Sequence, residues 1–192
     1  VDQGIADWTA CSGGGSHSVT SSLPDGAYTF RVRASDGPNE TIETQQFTVD
    51  TDLPETAIEG GPSGLTNSAS PSFEFSADEP GVTFECRRDS EPSFAPCASP
   101  KAYQGLADGA HTFHVRAIDA AGNVDGSAAS ADFTVDTVAP VVAISFGPSG
   151  LTNDDSPLFE FSVSGATATE CSIDKGVPAF GACSSASSHV VT

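Results

Sequence analysis

Short runs in which apolar and polar residues alternate recur along the chain, separated by clusters of Gly, Pro, Ser, Asn and Asp. Ser72-Phe73-Glu74-Phe75-Ser76 puts Phe73 and Phe75 on one face, as a strand of period two requires. Val82-Thr83-Phe84-Glu85-Cys86 alternates in the same way, and the run from His111 to Ala117 turns Phe113, Val115 and Ala117 inward. Thr56–Glu59, Lys101–Gln104, Ala131–Val135 and the return of the chain through Phe94 to Cys97 complete a set of about seven short strands, as in an immunoglobulin-type sandwich. The turns Leu106-Ala107-Asp108-Gly109 and Leu23-Pro24-Asp25-Gly26 each precede a strand; Tyr28 then stands where a tyrosine corner would place its hydroxyl, and His111 takes that place in the later copy.

The pattern repeats with a period of 86 residues. Gly61-Pro62-Ser63-Gly64-Leu65-Thr66-Asn67 returns as Gly147-Pro148-Ser149-Gly150-Leu151-Thr152-Asn153, and Phe47-Thr48-Val49-Asp50 as Phe133-Thr134-Val135-Asp136. Residues 1–20 match residues 173–192 in the same way, since the chain exceeds two periods. Residues 1–50 therefore read as the C-terminal half of a module, 51–136 as a complete module and 137–192 as the N-terminal part of a third. Residues 137–192 joined to 21–50, or 137–172 joined to 1–50, would make up one period, so the two ends are complementary. A fixed long period of this kind marks a modular array.

Composition agrees with short strands and turns. Helix formers are scarce, Met is absent, and Ser, Thr, Gly and Pro are plentiful, so the fold class expected is all-β.

Register also explains the five cysteines. Cys86 and Cys97 correspond to Cys171 and Cys183, each pair closing a short loop and stapling a hairpin, which a chain-entropy estimate values at about 3 kcal/mol. Cys11 aligns with Cys97 and Cys183, and its counterpart partner would precede Val1, which leaves it unpaired within the chain or free to bond Cys171 of a neighbouring copy. No Cys-x2-Cys occurs and the histidines are scattered, which excludes a zinc ribbon or finger. Disulfides place the chain in an oxidising compartment, extracellular or at the cell surface.

With 26 acidic and 7 basic residues the formal charge is −19, so nucleic acid and anionic membrane surfaces are poor partners. No apolar run approaches the ~20 residues of a membrane span. No initiator Met or signal peptide is in view, as expected of a segment whose targeting information lies elsewhere. The acidity itself has two readings: a solubilising surface, or oxygen ligands for calcium.

Thr-Phe-Glu-Cys at 83–86, the short loop to Cys97, the run from Leu106 to Asn123 and Phe133-Thr134-Val135-Asp136-Thr137 followed by Pro140 together resemble the bacterial immunoglobulin-like repeats of large secreted and cell-surface proteins, adhesins among them. The resemblance implies tandem immunoglobulin-like or fibronectin-III-like β-sandwiches of about seven strands with one disulfide each. It also implies calcium near an inter-module joint, for which Asp119, Asn123 and Asp136, with Asp36 and Asp50 as first-repeat counterparts, are the oxygen donors available. Asp and Asn beside Gly equally cap turns through their own backbone, and Asp36-Gly37-Pro38-Asn39 lacks the Ala-Ala-Gly-Asn of the central copy.

No catalytic motif is present: there is no Gly-x-Ser-x-Gly elbow, His-Glu-x-x-His or phosphate loop, and Asp154-Asp155 has no acidic counterpart at Ser68-Ala69. Trp8 aligns with Phe94 and Phe180 and is expected in the core rather than as a sugar platform. The function expected is a non-enzymatic structural or adhesive module of an extracellular fibre or stalk, its partners other copies joined head to tail and a host or cell-surface ligand. The alternative is an accessory module, binding carbohydrate or protein, of a secreted multidomain enzyme. A third reading, a partner-binding ectodomain, requires a flat exposed apolar patch.

Overall fold

A computed structural model describes residues 10–11, 14–19, 21–183 and 188–190. Strands β1 (Gly26–Asp36) and β2 (Asn39–Val49) form a long antiparallel hairpin in which Tyr28 faces Phe47 and Asp36 faces Asn39. The central module follows with β3 (Thr56–Gly60), β4 (Gly64–Thr66), β5 (Ser72–Ala77), β6 (Thr83–Arg88), β7 (Ala95–Cys97), β8 (Lys101–Ala102), β9 (Gly109–Ile118) and β10 (Ala129–Val135). The third segment holds β11 (Val141–Phe146), β12 (Leu158–Ser164), β13 (Glu170–Cys171), β14 (Gly181–Ala182) and β15 (Ser188–Val190). No helix occurs among the described residues.

The central module is a sandwich of sheet β3-β5-β8 on sheet β4-β10-β9-β6-β7. Its core is Phe73 and Phe75 from one sheet against Phe113, Val115, Phe133 and Val135 from the other, with Cys86 and Leu106 closing the layer. Phe73 stacks on Phe113 at 4.3 Å between ring centroids and lies 5.4 Å from Phe133. The alternating pattern predicted this: inward residues of β5 and β9 are buried, while their polar neighbours reach the surface.

Eight strands stand where about seven were expected. The extra one is β4, inside the recurring Gly-Pro-Ser-Gly-Leu-Thr-Asn segment, which leaves the first sheet after β3 and pairs in parallel with β10. Positive φ at Gly61 (136°) and Gly64 (93°) lets the chain cross between sheets. At Gly61 a Cβ would also run into the Phe73 ring.

In the third segment, β11-β12-β15 reproduces β3-β5-β8, and β13-β14 reproduces β6-β7. In the first, β1-β2 stands where the central module has β9-β10. Both disulfides join the cysteines that register paired, Cys86 with Cys97 and Cys171 with Cys183. Cys11 is free and exposed. Because Cys171 is already bonded within its own chain, a bond from Cys11 to a neighbour's Cys171 would first require exchange of that disulfide.

Candidate functional site at the module joint

The recurring turn before each penultimate strand and the recurring segment after each final strand meet in space. Asp25 Oδ1 accepts hydrogen bonds from the Thr51 N–H (3.1 Å) and Thr51 Oγ1 (2.9 Å). One repeat later Asp108 Oδ1 accepts from the Thr137 N–H (3.0 Å) and Oγ1 (2.8 Å). The Asp of the Leu-x-Asp-Gly turn thus clasps the Thr that opens the linker and fixes the direction in which the chain leaves. The joint is anchored below by Asp125, which is 4 % exposed. Its carboxylate accepts from the Thr56 N–H (3.1 Å) and the Ser127 N–H (2.7 Å). Burial pushes this carboxyl up, but the bonds from Thr56 and Ser127 outweigh it and hold it below the usual range.

Carboxylates gather at the first joint. Asp25, Asp50 and Asp52 are exposed and bring oxygens within 4.8 Å of one another. Asn123 Nδ2 donates to the Asp50 carbonyl (3.0 Å) and to Asp119 Oδ2 (2.8 Å), tying the β9–β10 loop to the linker. Asp119 Oδ1 also accepts from the Gly122 and Asn123 N–H groups, each at 2.7 Å. Desolvation raises the Asp119 carboxyl, yet these bonds lower it on balance. Glu79 is held above its ordinary value by partial desolvation and then by the charges of Asp50, Asp119, Asp78 and Asp52.

Of the five residues expected to hold calcium, the structure brings Asp50, Asp119 and Asn123 together. The other two lie apart from this cluster. Asp36 accepts from Asn39 Nδ2 at the β1–β2 tip (3.0 Å), and Asp136 accepts from the Val138 N–H at the second joint (3.1 Å). Sequence reasoning missed Asp25, Asp52 and Glu79. In the register of the repeat, Asp52, Asp78 and Glu79 become Val138, Ser164 and Gly165, so the acidic cluster belongs to the first joint only. Comparing the two linkers residue by residue would have exposed that difference.

At the opposite side of β9 the corner residues are built twice. Tyr28 Oη donates to the Pro24 carbonyl at 2.7 Å. His111 Nε2 lies 2.9 Å from the equivalent Ala107 carbonyl, and Nδ1 lies 2.9 Å from Asp89 Oδ2. Both ring nitrogens face acceptors, so the imidazolium is favoured. The Ala107 carbonyl and then Asp89 raise this histidine above its ordinary pKa. Asp89 has φ 50°, a conformation Asp tolerates, and its Oδ1 accepts the Thr112 N–H (2.9 Å). Burial raises the Asp89 carboxyl, and the bonds from His111 and Thr112 more than offset this.

Phe94 is not in the core, contrary to the expectation for its aligned position. It is only half-buried, and the guanidinium groups of Arg116 (4.3 Å) and Arg87 (5.0 Å) lie over its ring. Phe180, its counterpart, is 66 % exposed, and Trp8 lies outside the described residues. Tyr103 packs edge-on against Phe73 and Phe113 and carries Arg88 and Lys101 over its ring.

Residues 59–137 match the family model described as bacterial Ig-like domain. The central module is a bacterial Ig-like domain. The match spans all but the first strands' opening residues of this sandwich, including the stapled hairpin, the His111 corner and the Asp108 clasp on Thr137. No curated protein sequence matches the chain significantly. Among the described residues no helix is long and apolar enough to cross a membrane.

Proposed function

We propose that this chain is a structural or adhesive segment of an extracellular stalk or fibre built from Ig-like modules in series. The observation that carries the reading is one stapled hairpin recurring at the same place in successive repeats, Cys86–Cys97 and then Cys171–Cys183. Such bonds persist in oxidising compartments, and the −19 charge keeps neighbouring modules soluble and apart. The role is non-catalytic: the imidazole best placed for acid–base work, His111, spends both nitrogens on Ala107 and Asp89. Protease treatment of intact producing cells tests this. Release of the segment from the surface is the expected result, and recovery only from the reducing interior would overturn it.

Within this reading a calcium ion would act at the first joint, with Asp25, Asp50 and Asp52 as ligands and linker carbonyls and water completing the shell. Calcium is then expected to raise the melting temperature and Asp52→Asn to remove the response. A melting curve unchanged by millimolar calcium takes the ion out of the reading.

Arg87 and Arg116, whose guanidinium groups both lie over the Phe94 ring, favour a second reading, an accessory module binding an anionic carbohydrate or acidic protein ligand. Binding of sulfated oligosaccharides that is lost in Arg116→Ala supports it; no binding at low ionic strength removes it.

A further inference from the structure

We propose that Arg87, His114 and Ser130 on the outer face of the central five-stranded sheet hold an acidic group of an anionic sugar, and that His114 takes up a proton as the group binds, so that acid strengthens binding. The proposal rests on the accessory-module reading and adds to it the ligand class and its control by pH. Strands β6 and β9 pair Cys86 with Val115 and Arg87 with His114, and β10 sets Ser130 opposite His114. Directly opposed residues share a face of the sheet. Cys86 and Val115 are buried in the core, so Arg87, His114 and Ser130 form one row on the other side. Glu85 and Arg116 begin the next row.

Two members of the row lack the partners that their kind finds elsewhere in the molecule. Arg33, Arg88 and Arg116 each face a carboxylate, Arg116 through two bonds to Glu85 Oε2 (3.0 and 2.7 Å). Arg87 has no carboxylate partner among the described residues; its guanidinium lies over the Phe94 ring, and its Nε is buried without a hydrogen bond. His111 spends both ring nitrogens, whereas His114 makes no hydrogen bond among the described residues. Burial and then Arg87 keep His114 below its ordinary pKa, against Asp132 and Asp89, which act the other way. Of the other charged groups on this face, Glu85 is tied to Arg116, and Asp132 accepts from Thr112 Oγ1 (2.7 Å). An anion between Arg87 and His114 reverses the balance. It gives the guanidinium an acceptor and raises His114, and by linkage a protonated His114 holds the anion more tightly.

The first repeat carries a version of the same row. In register, His114 and Ser130 are Arg31 and Thr44, which β1 and β2 also set opposite each other. A cation beside a hydroxyl thus recurs in successive repeats, permanent in one and switchable in the other. A peptide is the poorer fit. Strands β6, β9 and β10 each have neighbours on both sides, so no strand edge is open here to a peptide backbone. The −19 charge repels a long polyanion, which limits the fit to a single acidic group on a short sugar.

Calorimetric titration of the full chain with a sulfated oligosaccharide, which stays ionised throughout, tests this at low ionic strength. Affinity should rise about tenfold from about pH 7.5 to about pH 5.5. An unsulfated uronate oligosaccharide runs in parallel; a gain with either sugar supports the proposal and shows which acidic group is held. In an NMR titration the His114 ring should show its pKa raised by the sugar. His114→Gln should flatten the pH profile, and His114→Arg, which copies Arg31, should flatten it at the tighter level. His111→Tyr, away from the row, should keep the wild-type profile. A flat wild-type profile, a slope that survives in His114→Gln or vanishes in His111→Tyr, or tighter binding of a polyglutamate peptide than of either sugar overturns the proposal and leaves an anion-binding module standing. No binding at either pH removes that reading and the proposal together.

Discussion

Tyr28 donates through its hydroxyl to the Pro24 carbonyl, and one repeat later His111 offers Nε2 to the Ala107 carbonyl. The exchange keeps the corner but adds a titrating group, because His111 also faces Asp89. Its folded pKa is raised, so its contribution to stability is whole below the unfolded value of about 6.5 and is lost as pH rises through the folded value. His114 works the other way, lowered by burial and then by Arg87, and its contribution is lost as pH falls below that same unfolded value. The comparison that isolates His111 is therefore wild type against His111→Tyr. Calorimetry should show the variant's deficit in melting temperature greatest near pH 6 and shrinking toward pH 8; a pH-independent deficit would show that the His111–Asp89 contact does not titrate in this range. The core offers a larger effect. Phe113 is fully buried and stacked on Phe73, so Phe113→Ala should cost about 3–5 kcal/mol in denaturant unfolding.

Single elements were legible in the sequence to different degrees, for physical reasons. The strands holding Phe73 and Phe75, and Phe113 and Val115, could be read because burial on one face imposes alternation. The disulfides could be read because the repeat put the cysteines in register. Strand β4 was not legible: Gly64-Leu65-Thr66 has no alternation of its own and becomes a strand only where β10 lies beside it. Phe94 misled because an aromatic at a repeated position suggests core, whereas its ring is instead engaged by the guanidinium groups of Arg87 and Arg116. The acidic joint escaped because its carboxylates come from the β1 turn, the linker and two central loops, which only the folded path unites. Two element-scale results are expected. Reducing the disulfide between Cys86 and Cys97 should lower stability by about 2–4 kcal/mol, read as a shift in the denaturant midpoint. Asp108→Ala should remove the clasp on Thr137 and cost about 1 kcal/mol, with the matching Asp25→Ala acting on the first hairpin.

For the whole molecule the central module carries the account. It buries Phe73, Phe113, Val115 and Val135 almost completely between its two sheets, and the Cys86–Cys97 bond staples its edge hairpin. The central module should therefore exchange its amide hydrogens as one cooperative unit. Hydrogen exchange of the full chain measures this directly. Amides of β5, β6, β9 and β10 should share one opening free energy, and Phe113→Ala should lower all of them together. Strands of the two sheets that open independently, or a loss confined to β9 in the variant, would contradict a single closed sandwich held by this core.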